Sequence, residues 1–583
     1  MSEPLKPEEV MIRMRDGVQL AADLYAPPGL PQPWPVILVR TPYGKHVFDT
    51  LTTPSASALA RHGFAVVVQD KRGKFRSEGI YKYCAHDGPD GWDTVEWLVA
   101  QSFCNGRIGT YGSSYLGDTQ LALGRLRHPA HRCMVPHAAS MLGALGGRYT
   151  MGDTRAGGAL YLATYVRWFY ERGARKHSGT LPPLDLERAC RGLPLESLFE
   201  QIGGPPCDWR DIVTRSPLDP WWRDAELLTP EDRFDVPALH VNSWFDVGLE
   251  DTLVLFEHLA RTSLSAAARE HQYLIVSPAT HCASEQLGPD DHVGDLSVGD
   301  ARLPWEDIYV QWFSHWLREE GSLDGWPRVR YYELNRNQWI ESEHWPPAEA
   351  APIALELSSH GQANTRLGDG LLGAASSSGC DRLVANPEDP VLTVGGAEPS
   401  AYLRIAPLDQ STVELRRDVL VYTSSVLGGE GLRIAGPVRA TLFIEASVPD
   451  IDLVAKLIDV YPDGRALDLR DGILRCRYRD SRIRSQLMQA GEIYTVTVSL
   501  HALGAWFAPD HRLRLEIAAS SFPRYDRNLQ TGGDNVSETI GRCGTLTLWH
   551  TGTRRSHLTL SVIGAVPPGI RPMCSPAPAG AGP

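Results

Sequence analysis

One short segment, residues 107–118, contains a serine in the setting of a catalytic nucleophile. An apolar run ends there in glycines and serines, and a helix-forming stretch follows. A strand that turns sharply into a helix exposes a serine hydroxyl above a sheet, the geometry of a nucleophile elbow. Gly112 stands two residues before Ser114, whereas Ser113 lacks such a glycine, so Ser114 is the predicted nucleophile. The second glycine, Gly117, stands at +3 rather than +2, and a purely structural turn is the alternative for this segment taken alone.

An acid and a histidine follow Ser114 in the chain order that α/β serine hydrolases use. Asp246 comes just after a β-rich run at 236–244, and His281 just after the next run at 272–277. Because ligands bind at the carboxyl ends of strands in open α/β sheets, both side chains are predicted to lie beside the serine. A loop aspartate usually caps a turn and a single histidine is usually structural. Three such residues in the required order favour catalysis.

The elements that must position these residues are predicted from hydrophobic patterning. Continuous apolar runs at 36–39 and 65–68 are typical of central strands buried on both faces. Residues 11–25 predict a β-hairpin with Asp16 and Gly17 in its turn. Strands that alternate with helices predict a parallel α/β sheet. Helices are expected at 51–62, 93–101 and 306–319.

This alternation stops near residue 140 and resumes at 236. The stretch between is rich in tryptophan and tyrosine and predicts a helical cap over the ligand-binding edge of the sheet. After residue 345, short alternating strands separated by glycine, proline and aspartate turns predict a jelly-roll-like β-sandwich. The predicted domains are an α/β catalytic domain at 1–142 and 236–345, a cap at 143–235, a C-terminal β-sandwich at 346–570 and a disordered tail at 571–583.

Longer motifs connect the chain to a known family. Residues 112–117 are Gly-Ser-Ser-Tyr-Leu-Gly, which fits the pattern Gly-x-Ser-Tyr-x-Gly of the cocaine-esterase-like (CocE/NonD) hydrolases. In that pattern a glycine at +3 is regular. The chain resembles this family, which is related to X-prolyl dipeptidyl peptidases and α-amino acid ester hydrolases, over nearly its whole length. Further matching motifs lie at 14–20, 69–73, 77–79, 90–98, 105–109, 455–464, 471–475, 513–517 and 521–528.

The resemblance implies an α/β-hydrolase fold and a role for each candidate residue. Ser114 would be the nucleophile, His281 the general base and acid, and Asp246 the residue that orients His281 and supports its charge. The oxyanion hole would consist of the backbone N–H of Tyr115 and the hydroxyl of Tyr43, a residue that follows a predicted central strand. A packed aromatic beside a proline turn is the alternative for Tyr43.

The substrate is less constrained. The α-amino acid ester hydrolases that the chain resembles carry acidic residues two and three positions after the triad aspartate, where they bind an ammonium group. Here these positions hold Gly248 and Leu249, which disfavours an α-amino ester and a peptide N-terminus. The predicted cap helix carries aromatic residues at spacings of four and three, which predicts either core packing or an aromatic wall for the acyl group. Candidate substrate contacts are Tyr161, Tyr165, Trp168 and Trp244.

Composition excludes several functions. The 57 basic and 70 acidic residues give a net charge of −13, which supplies no bulk attraction to nucleic acid or anionic lipid. The first ten residues lack the apolar core of a signal peptide, and no run approaches the ~18 apolar residues of a membrane span. The ten cysteines include no Cys-x-x-Cys pair, so reduced thiols are expected. We expect a cytoplasmic protein with no cofactor and no metal, and with no nucleic-acid or membrane partner. Whether the protein forms a homodimer is left undecided by the sequence.

The predicted function is a serine hydrolase that cleaves a small-molecule carboxylic ester, or alternatively an amide, through an acyl-serine intermediate. Two alternatives share the scaffold: an acyltransferase, in which a second substrate replaces water, and an amidase or peptidase. A carbohydrate-binding protein built on an inactive hydrolase scaffold is the alternative from another class. The presence of Ser114, Asp246 and His281 argues against it.

Overall fold

A computed structural model provides the fold. It describes residues 3–48, 54–139, 154–176, 181–217, 219–225, 227–373, 379–397, 405–568 and 570–573. The start of the predicted cap at 143–153, the start of the predicted helix at 51–53 and residues 574–583 of the predicted tail lie outside these ranges.

A ten-stranded mixed sheet forms the centre of the N-terminal part. The sheet order is β1-β2-β4-β3-β5-β6-β9-β10-β13-β14, and β7-β8 and β11-β12 are separate hairpins. Neighbours from β4 to β13 pair in parallel, while β1, β2 and β14 join through antiparallel pairing. The strands are β1 (Glu8–Arg13), β2 (Gln19–Tyr25), β3 (Trp34–Thr41), β4 (Ala65–Asp70), β5 (Cys104–Ser113), β6 (His131–His137), β7 (Arg155–Ala156), β8 (Ala159–Leu160), β9 (Ala238–Phe245), β10 (Gln272–Thr280), β11 (Asp291–Val293), β12 (Leu296–Gly299), β13 (Val329–Glu333) and β14 (Gln338–Ser342).

Helices pack on both faces of this sheet, and a group of short helices is inserted between β6 and β9. The helices are α1 (Ala56–Arg61), α2 (Asp87–Val99), α3 (Tyr115–Gly124), α4 (Leu162–Arg172), α5 (Leu186–Arg191), α6 (Leu198–Gln201), α7 (Trp209–Thr214), α8 (Trp221–Asp224), α9 (Leu249–Thr262), α10 (Ala266–Glu270) and α11 (Trp305–Arg318). The inserted group, α4–α8 with the hairpin β7-β8, occupies the position of the predicted cap. No helix in the described ranges is both long and apolar enough to cross a membrane.

The alternation of side chains along β3 explains why helices cover both faces. Val36 and Leu38 pack with Val95 of α2 on one face, whereas Ile37 and Val39 pack with α11 on the other. Successive side chains of a strand point to opposite faces, so a continuous apolar run must be buried on both. The central position predicted for this run is confirmed.

A β-rich domain follows the sheet. Its neighbours run β17-β24-β19-β26-β15, with β22 also on β19, and continue as β15-β16-β18-β23-β20-β21. Apolar side chains of both runs, such as Leu442 and Leu515, share one core. The strands are β15 (Ala350–Ser358), β16 (Leu371–Leu372), β17 (Cys380–Ala385), β18 (Leu420–Thr423), β19 (Leu432–Ala446), β20 (Asp452–Val460), β21 (Ala466–Arg475), β22 (Ile493–Phe507), β23 (Arg512–Ala518), β24 (Gly544–Thr551), β25 (Arg554–Arg555) and β26 (His557–Ile563).

The predicted fold class is confirmed, and the element bounds differ in places. The hairpin predicted at 11–25 is β1-β2. The helix expected at 93–101 begins six residues earlier, at Asp87. Pro89 and Gly91 make this start inconspicuous in the sequence, but proline is tolerated in a first helical turn. Buried contacts hold the start in place, because the Asp87 carboxylate pairs with Lys71 at 2.7 Å.

Candidate active site

Ser114 forms the turn between β5 and α3. The strand ends at Ser113 and the helix begins at Tyr115, so Ser114 alone connects them. Its φ of 59° lies in the left-handed region, which a non-glycine residue adopts only where its surroundings hold it there. Its backbone N–H donates to the carbonyl oxygen of His137 at 2.9 Å. The elbow is therefore attached to the end of the neighbouring strand β6.

Two glycines make this turn sterically possible. Gly112 has a φ of 137°, and a Cβ added there would lie 2.6 Å from the Cβ of Leu116. A Cβ added to Gly117 would lie 2.9 Å from the Cβ of Ala139. Any side chain at either position would push the helix away from the sheet. The glycine at −2 and the glycine at +3 thus have one physical cause, the close approach of α3.

His281 contacts Ser114 through one ring nitrogen and Asp246 through the other. Its Nε2 lies 2.9 Å from Ser114 Oγ, and its Nδ1 lies 2.6 Å from Asp246 Oδ2. Asp246 is fully buried, and its other oxygen accepts the Gly248 N–H at 2.6 Å. A proton on Nδ1 faces the carboxylate, which leaves the lone pair of Nε2 directed at the serine hydroxyl.

The charge environment of His281 favours its protonated form. Burial by itself lowers the pKa of the imidazole. The negative charge of Asp246 and the adjacent Cys282 thiol outweigh burial and raise the pKa well above its usual value. An imidazolium that forms at this position is therefore stabilised, as a general base requires after it accepts a proton.

Tyr43 lies beside the nucleophile as a neutral phenol. Its hydroxyl contacts Ser114 and accepts a hydrogen bond from Trp168 Nε1 at 3.2 Å. Burial raises the pKa of the phenol to about 12, although the hydrogen bonds to Trp168 and Ser114 lower it. The Tyr115 N–H is the first amide of α3, so no carbonyl within the helix is available to it. Both groups can donate to an oxygen that develops negative charge beside Ser114.

A buried polar cluster, which no sequence motif predicted, holds the Tyr115 side chain. The Tyr115 hydroxyl contacts Lys71 Nζ, donates to Asp87 at 3.1 Å and accepts the Cys84 N–H at 3.0 Å. These partners lie 28 to 44 residues from Tyr115 in the chain. Lys71 and Asp87 also form an ion pair with each other, at 2.7 Å. Burial lowers the pKa of Lys71 despite this pair. The cluster fixes the first residue of α3.

Of the predicted substrate contacts, Trp168 contacts both Tyr43 and Tyr115. Its ring is half-buried and stacks parallel to the Tyr115 ring, with centroids 6.1 Å apart and planes at 3°. Tyr165 is buried one turn earlier, where its hydroxyl lies 3.4 Å from that of Tyr83. Trp168 thus connects the inserted helices with Tyr43 and with the start of α3.

The structure places Tyr161 and Trp244 elsewhere. Tyr161 packs against Tyr525 of the C-terminal domain, with ring centroids 5.1 Å apart. Trp244 has no exposed surface, donates from Nε1 to the Tyr332 carbonyl at 2.6 Å and packs on Trp345. The Trp244 ring also meets the C-terminal domain, since a Cβ added to Gly504 of β22 would lie 2.8 Å from it. Both side chains therefore contact the C-terminal domain. Their assignment as substrate contacts stays a prediction.

No metal-binding group is present in the described part of the chain, in the sense of three or more His, Cys, Asp or Glu side chains placed to hold an ion. The nine cysteines that the structure describes are all free thiols.

Comparisons with known proteins agree with this architecture. Family models for X-Pro dipeptidyl-peptidase (S15 family) and for the X-Pro dipeptidyl-peptidase C-terminal non-catalytic domain match residues 16–283 and 322–559. The chain is 32% identical over 585 residues to cocaine esterase of Rhodococcus sp. (strain MB1 Bresler), covering 95% of this chain and 98% of that protein.

Two solved structures share the fold over both domains. An aminopeptidase from the marine sediment archaeon Thaumarchaeota archaeon is 26% identical, has a TM-score of 0.80 and covers 96% of both chains. An α-amino acid ester hydrolase is 24% identical, also has a TM-score of 0.80 and covers 95% of this chain and 96% of that chain.

The fold and these relatives define a serine hydrolase of ester bonds with a C-terminal non-catalytic domain. The chain belongs to the cocaine-esterase-like (CocE/NonD) family, as its sequence motifs predicted.

Proposed function

We propose that this protein hydrolyses a carboxylic ester through an acyl-serine intermediate, with Ser114, His281 and Asp246 as a catalytic triad. The observation that carries the proposal is the linear arrangement of these residues: 2.9 Å from Ser114 to His281 and 2.6 Å from His281 to Asp246, through different ring nitrogens. This arrangement lets one imidazole take a proton from the serine while it remains paired with the carboxylate.

The proposed reaction has two halves. Ser114 Oγ attacks the acyl carbonyl while His281 Nε2 accepts the hydroxyl proton, and the tetrahedral oxyanion accepts hydrogen bonds from the Tyr115 N–H and the Tyr43 hydroxyl. His281 then returns the proton to the departing alcohol, which leaves an acyl ester on Ser114. Water activated by His281 attacks this ester, the carboxylic acid is released and Ser114 regains its proton.

We propose a neutral acyl group for the substrate. The two positions where ammonium-binding relatives carry carboxylates hold Gly248, whose N–H is bound to Asp246, and Leu249, which is fully buried. The carboxylates that contact the site are engaged as well, Asp246 by His281 and Asp87 by Lys71. An ammonium group that lost its water here would gain no partner from them.

An amide is the second candidate substrate, because the relatives include an aminopeptidase that is 26% identical to this chain. The same triad can transfer an acyl group to water or to another acceptor, so acyl transfer is part of the same test. Matched esters and amides that share one acyl group test whether the enzyme prefers an ester or an amide. Added alcohols and amines test whether the acyl group is transferred to an acceptor other than water. Cocaine, which the name of the 32% identical relative gives as substrate, belongs in the ester series.

The direct test is labelling with a fluorophosphonate probe followed by peptide mapping. The proposal requires stoichiometric modification of Ser114, together with loss of ester turnover at the same rate. Ser113→Ala is the matched control, and it should label normally. Absence of labelling of the wild-type chain, or labelling at another serine that accounts for the lost activity, would overturn the proposal.

A further inference from the structure

We propose that His137 and Glu285 act as a positioning pair for this reaction, fixing the loop that carries His281 against the turn that carries Ser114. The pair lies outside the triad: the His137 carbonyl binds the Ser114 N–H, and Glu285 lies in the loop that carries His281. This role rests on the proposed function, because it concerns the spacing between Ser114 and His281.

The first attachment is on the side of the nucleophile. His137 is the last residue of β6, and its carbonyl oxygen accepts the Ser114 N–H at 2.9 Å. The same oxygen lies 3.0 Å from where a Cβ of Gly117 would be, so α3 approaches it closely. The position of His137 therefore determines where the nucleophile turn can lie.

The second attachment is on the side of the base. The His137 ring faces Glu285 through Nδ1 at 3.1 Å and Ser284 through Nε2 at 3.3 Å. Ser284 and Glu285 follow His281 by three and four residues, in the same loop. The hydroxyl of Tyr309 on α11 also donates to the Glu285 carboxylate, at 2.5 Å. One histidine thus holds the nucleophile turn with its backbone and the base loop with its side chain.

Burial and charge make this link stiff. The His137 and Glu285 side chains are only 2% and 6% exposed. Burial lowers the pKa of His137, but the carboxylate of Glu285, together with the electrostatic influence of Cys282 and Asp246, outweighs burial and raises it. The Glu285 carboxylate therefore favours the imidazolium form of His137, and a charge-assisted contact is stronger than a neutral one. Removing one charge leaves the other buried without a partner, which strongly favours rearrangement of the loop.

Proton transfer depends steeply on the distance that this pair controls. The Ser114 Oγ to His281 Nε2 contact of 2.9 Å lies within the range that general-base catalysis needs. A shift of the loop by a fraction of an ångström lowers the rate of the chemical step and leaves substrate binding nearly intact. The pair should therefore affect kcat more than KM.

The variants to compare are Glu285→Gln and His137→Gln, each of which removes one charge and keeps a hydrogen-bonding group. We expect each to lower kcat and the rate of fluorophosphonate labelling by about tenfold, with KM changed less than twofold. The double variant, which restores a neutral amide pair, should lose less than the product of the two single losses. His240→Gln is the matched control, because His240 is buried on β9, is bound to Gln272 at 3.0 Å and has a pKa lowered by burial to about 4. The control should lose stability and keep kcat.

A pH profile separates positioning from a purely structural role. We expect kcat/KM of the wild type to fall at alkaline pH as His137 loses its proton. Loss of the Glu285 carboxylate lowers the pKa of His137, so Glu285→Gln should move this fall to lower pH by about one unit or more, and His240→Gln should not move it. If Glu285→Gln or His137→Gln does not fold, Tyr309→Phe and Ser284→Ala remove single hydrogen bonds from the pair, and we expect kcat losses of about twofold to threefold.

The two proposals fail in different ways. If the wild type does not label at Ser114, the proposed hydrolase mechanism fails. If the wild type labels, but folded pair variants, or the Tyr309 and Ser284 variants in their place, label and turn over at the wild-type rate with an unshifted pH profile, the triad stands and the positioning role is overturned.

Discussion

Serine, histidine and aspartate contact one another in two places in the described part of this chain, once at the edge of the catalytic sheet and once inside the C-terminal domain. In the catalytic sheet, His281 uses a different ring nitrogen for each partner. In the C-terminal domain, His550 places the single nitrogen Nε2 at 3.0 Å from both Ser359 and Asp381. The first arrangement is a relay from serine to carboxylate, and the second is a closed cluster.

The direction of the serine hydroxyl decides the difference in chemistry. Ser359 donates its proton to Asp381 at 2.6 Å, and Tyr422 donates to the same carboxylate at 2.7 Å. Burial raises the pKa of Asp381, but the hydrogen bonds from His550, Ser359 and Tyr422 lower it further than burial raises it. The hydroxyl of Ser359 thus points its proton at a carboxylate of lowered pKa, which is a weak base, so we expect Ser359 to be a structural donor.

Access and backbone geometry differ as well. The side chains of His550 and Asp381 are completely buried, whereas that of His281 is 15% exposed. Ser114 stands at a left-handed turn before a helix, where the next N–H is available to an oxyanion; Ser359 follows the end of β15, with no helix after it. Residue types in contact therefore do not define a catalytic site. A relay through both nitrogens, a turn with available N–H donors and a partly exposed histidine distinguish the proposed site.

The largest expected effect distinguishes the two serines. Ser114→Ala should lower kcat/KM by a factor of ~10³ or more, because the nucleophile is lost, and the fold should remain intact. Ser359→Ala and Ser113→Ala should each keep kcat/KM within about twofold. Steady-state kinetics on the three purified variants, with circular dichroism to verify folding, make the comparison. A loss at Ser113 or Ser359 that exceeds the loss at Ser114 would mean that the nucleophile is assigned to the wrong turn.

The next effect distinguishes the two aspartates. Asp246→Asn should lower kcat by about 10²-fold or more, since the amide stabilises neither the correct tautomer nor the charge of His281. Asp381→Asn should leave kcat nearly unchanged and lower the free energy of unfolding by about 1–3 kcal/mol, because its buried donors lose a charged acceptor. Kinetics and chemical denaturation of both variants test this pair. Equal losses of kcat in the two variants would contradict a catalytic role for Asp246 and a structural role for Asp381.

The pH dependence tests whether His281 alone controls the acid limb. His281 must be neutral to accept a proton, and its pKa is raised above the usual value, so kcat/KM should rise with pH through an apparent pKa above ~6.5. Below that pKa the rate should fall about tenfold per pH unit. In Asp246→Asn the rise should move to lower pH, because the carboxylate that raises the pKa is gone. A profile that stays flat from pH 5 to 9 while chemistry is rate-limiting is incompatible with this role.

The open site should also select its substrate, which the closed cluster cannot do. Phenylacetate esters should exceed phenylglycine esters of the same alcohol in kcat/KM by about tenfold, or ~1.4 kcal/mol. The reason is the lack of carboxylates at Gly248 and Leu249. Gly248→Glu combined with Leu249→Asp should reduce the difference in kcat/KM between the two esters. A wild type that prefers the phenylglycine ester would show that another group binds the ammonium.

The smallest expected effect is on stability alone. Tyr422→Phe removes one donor from the Asp381 cluster and should lower the free energy of unfolding by about 1 kcal/mol, with kcat unchanged. Urea denaturation followed by tryptophan fluorescence measures it. A change in kcat would indicate that the C-terminal cluster communicates with the catalytic sheet.

The sequence alone was sufficient for the features that depend on near neighbours. Gly112 indicates the turn around Ser114, and Gly117 fits it through the family pattern. The structure supplies the reason, because a Cβ at either position would collide with Leu116 or Ala139. Apolar runs identify the central strands, because strand side chains alternate with a period of two. The order of Ser114, Asp246 and His281 also lies in the chain itself.

Only the tertiary structure decided which side chains meet. Trp168 reaches Tyr43 across 125 residues. His137 at the end of β6 reaches Glu285 in the segment after β10. Neither contact leaves a periodic signal in the sequence. Trp244 lies two residues before Asp246, yet it packs against Gly504 of the C-terminal domain while Asp246 contacts His281. Hydrophobic periodicity determines which side chains must be buried. The register of the sheet and the packing of the domains determine which residues those side chains contact. The physical reason is that a hydrophobic pattern depends on residues close together in the chain, whereas a tertiary contact joins residues that are far apart in it.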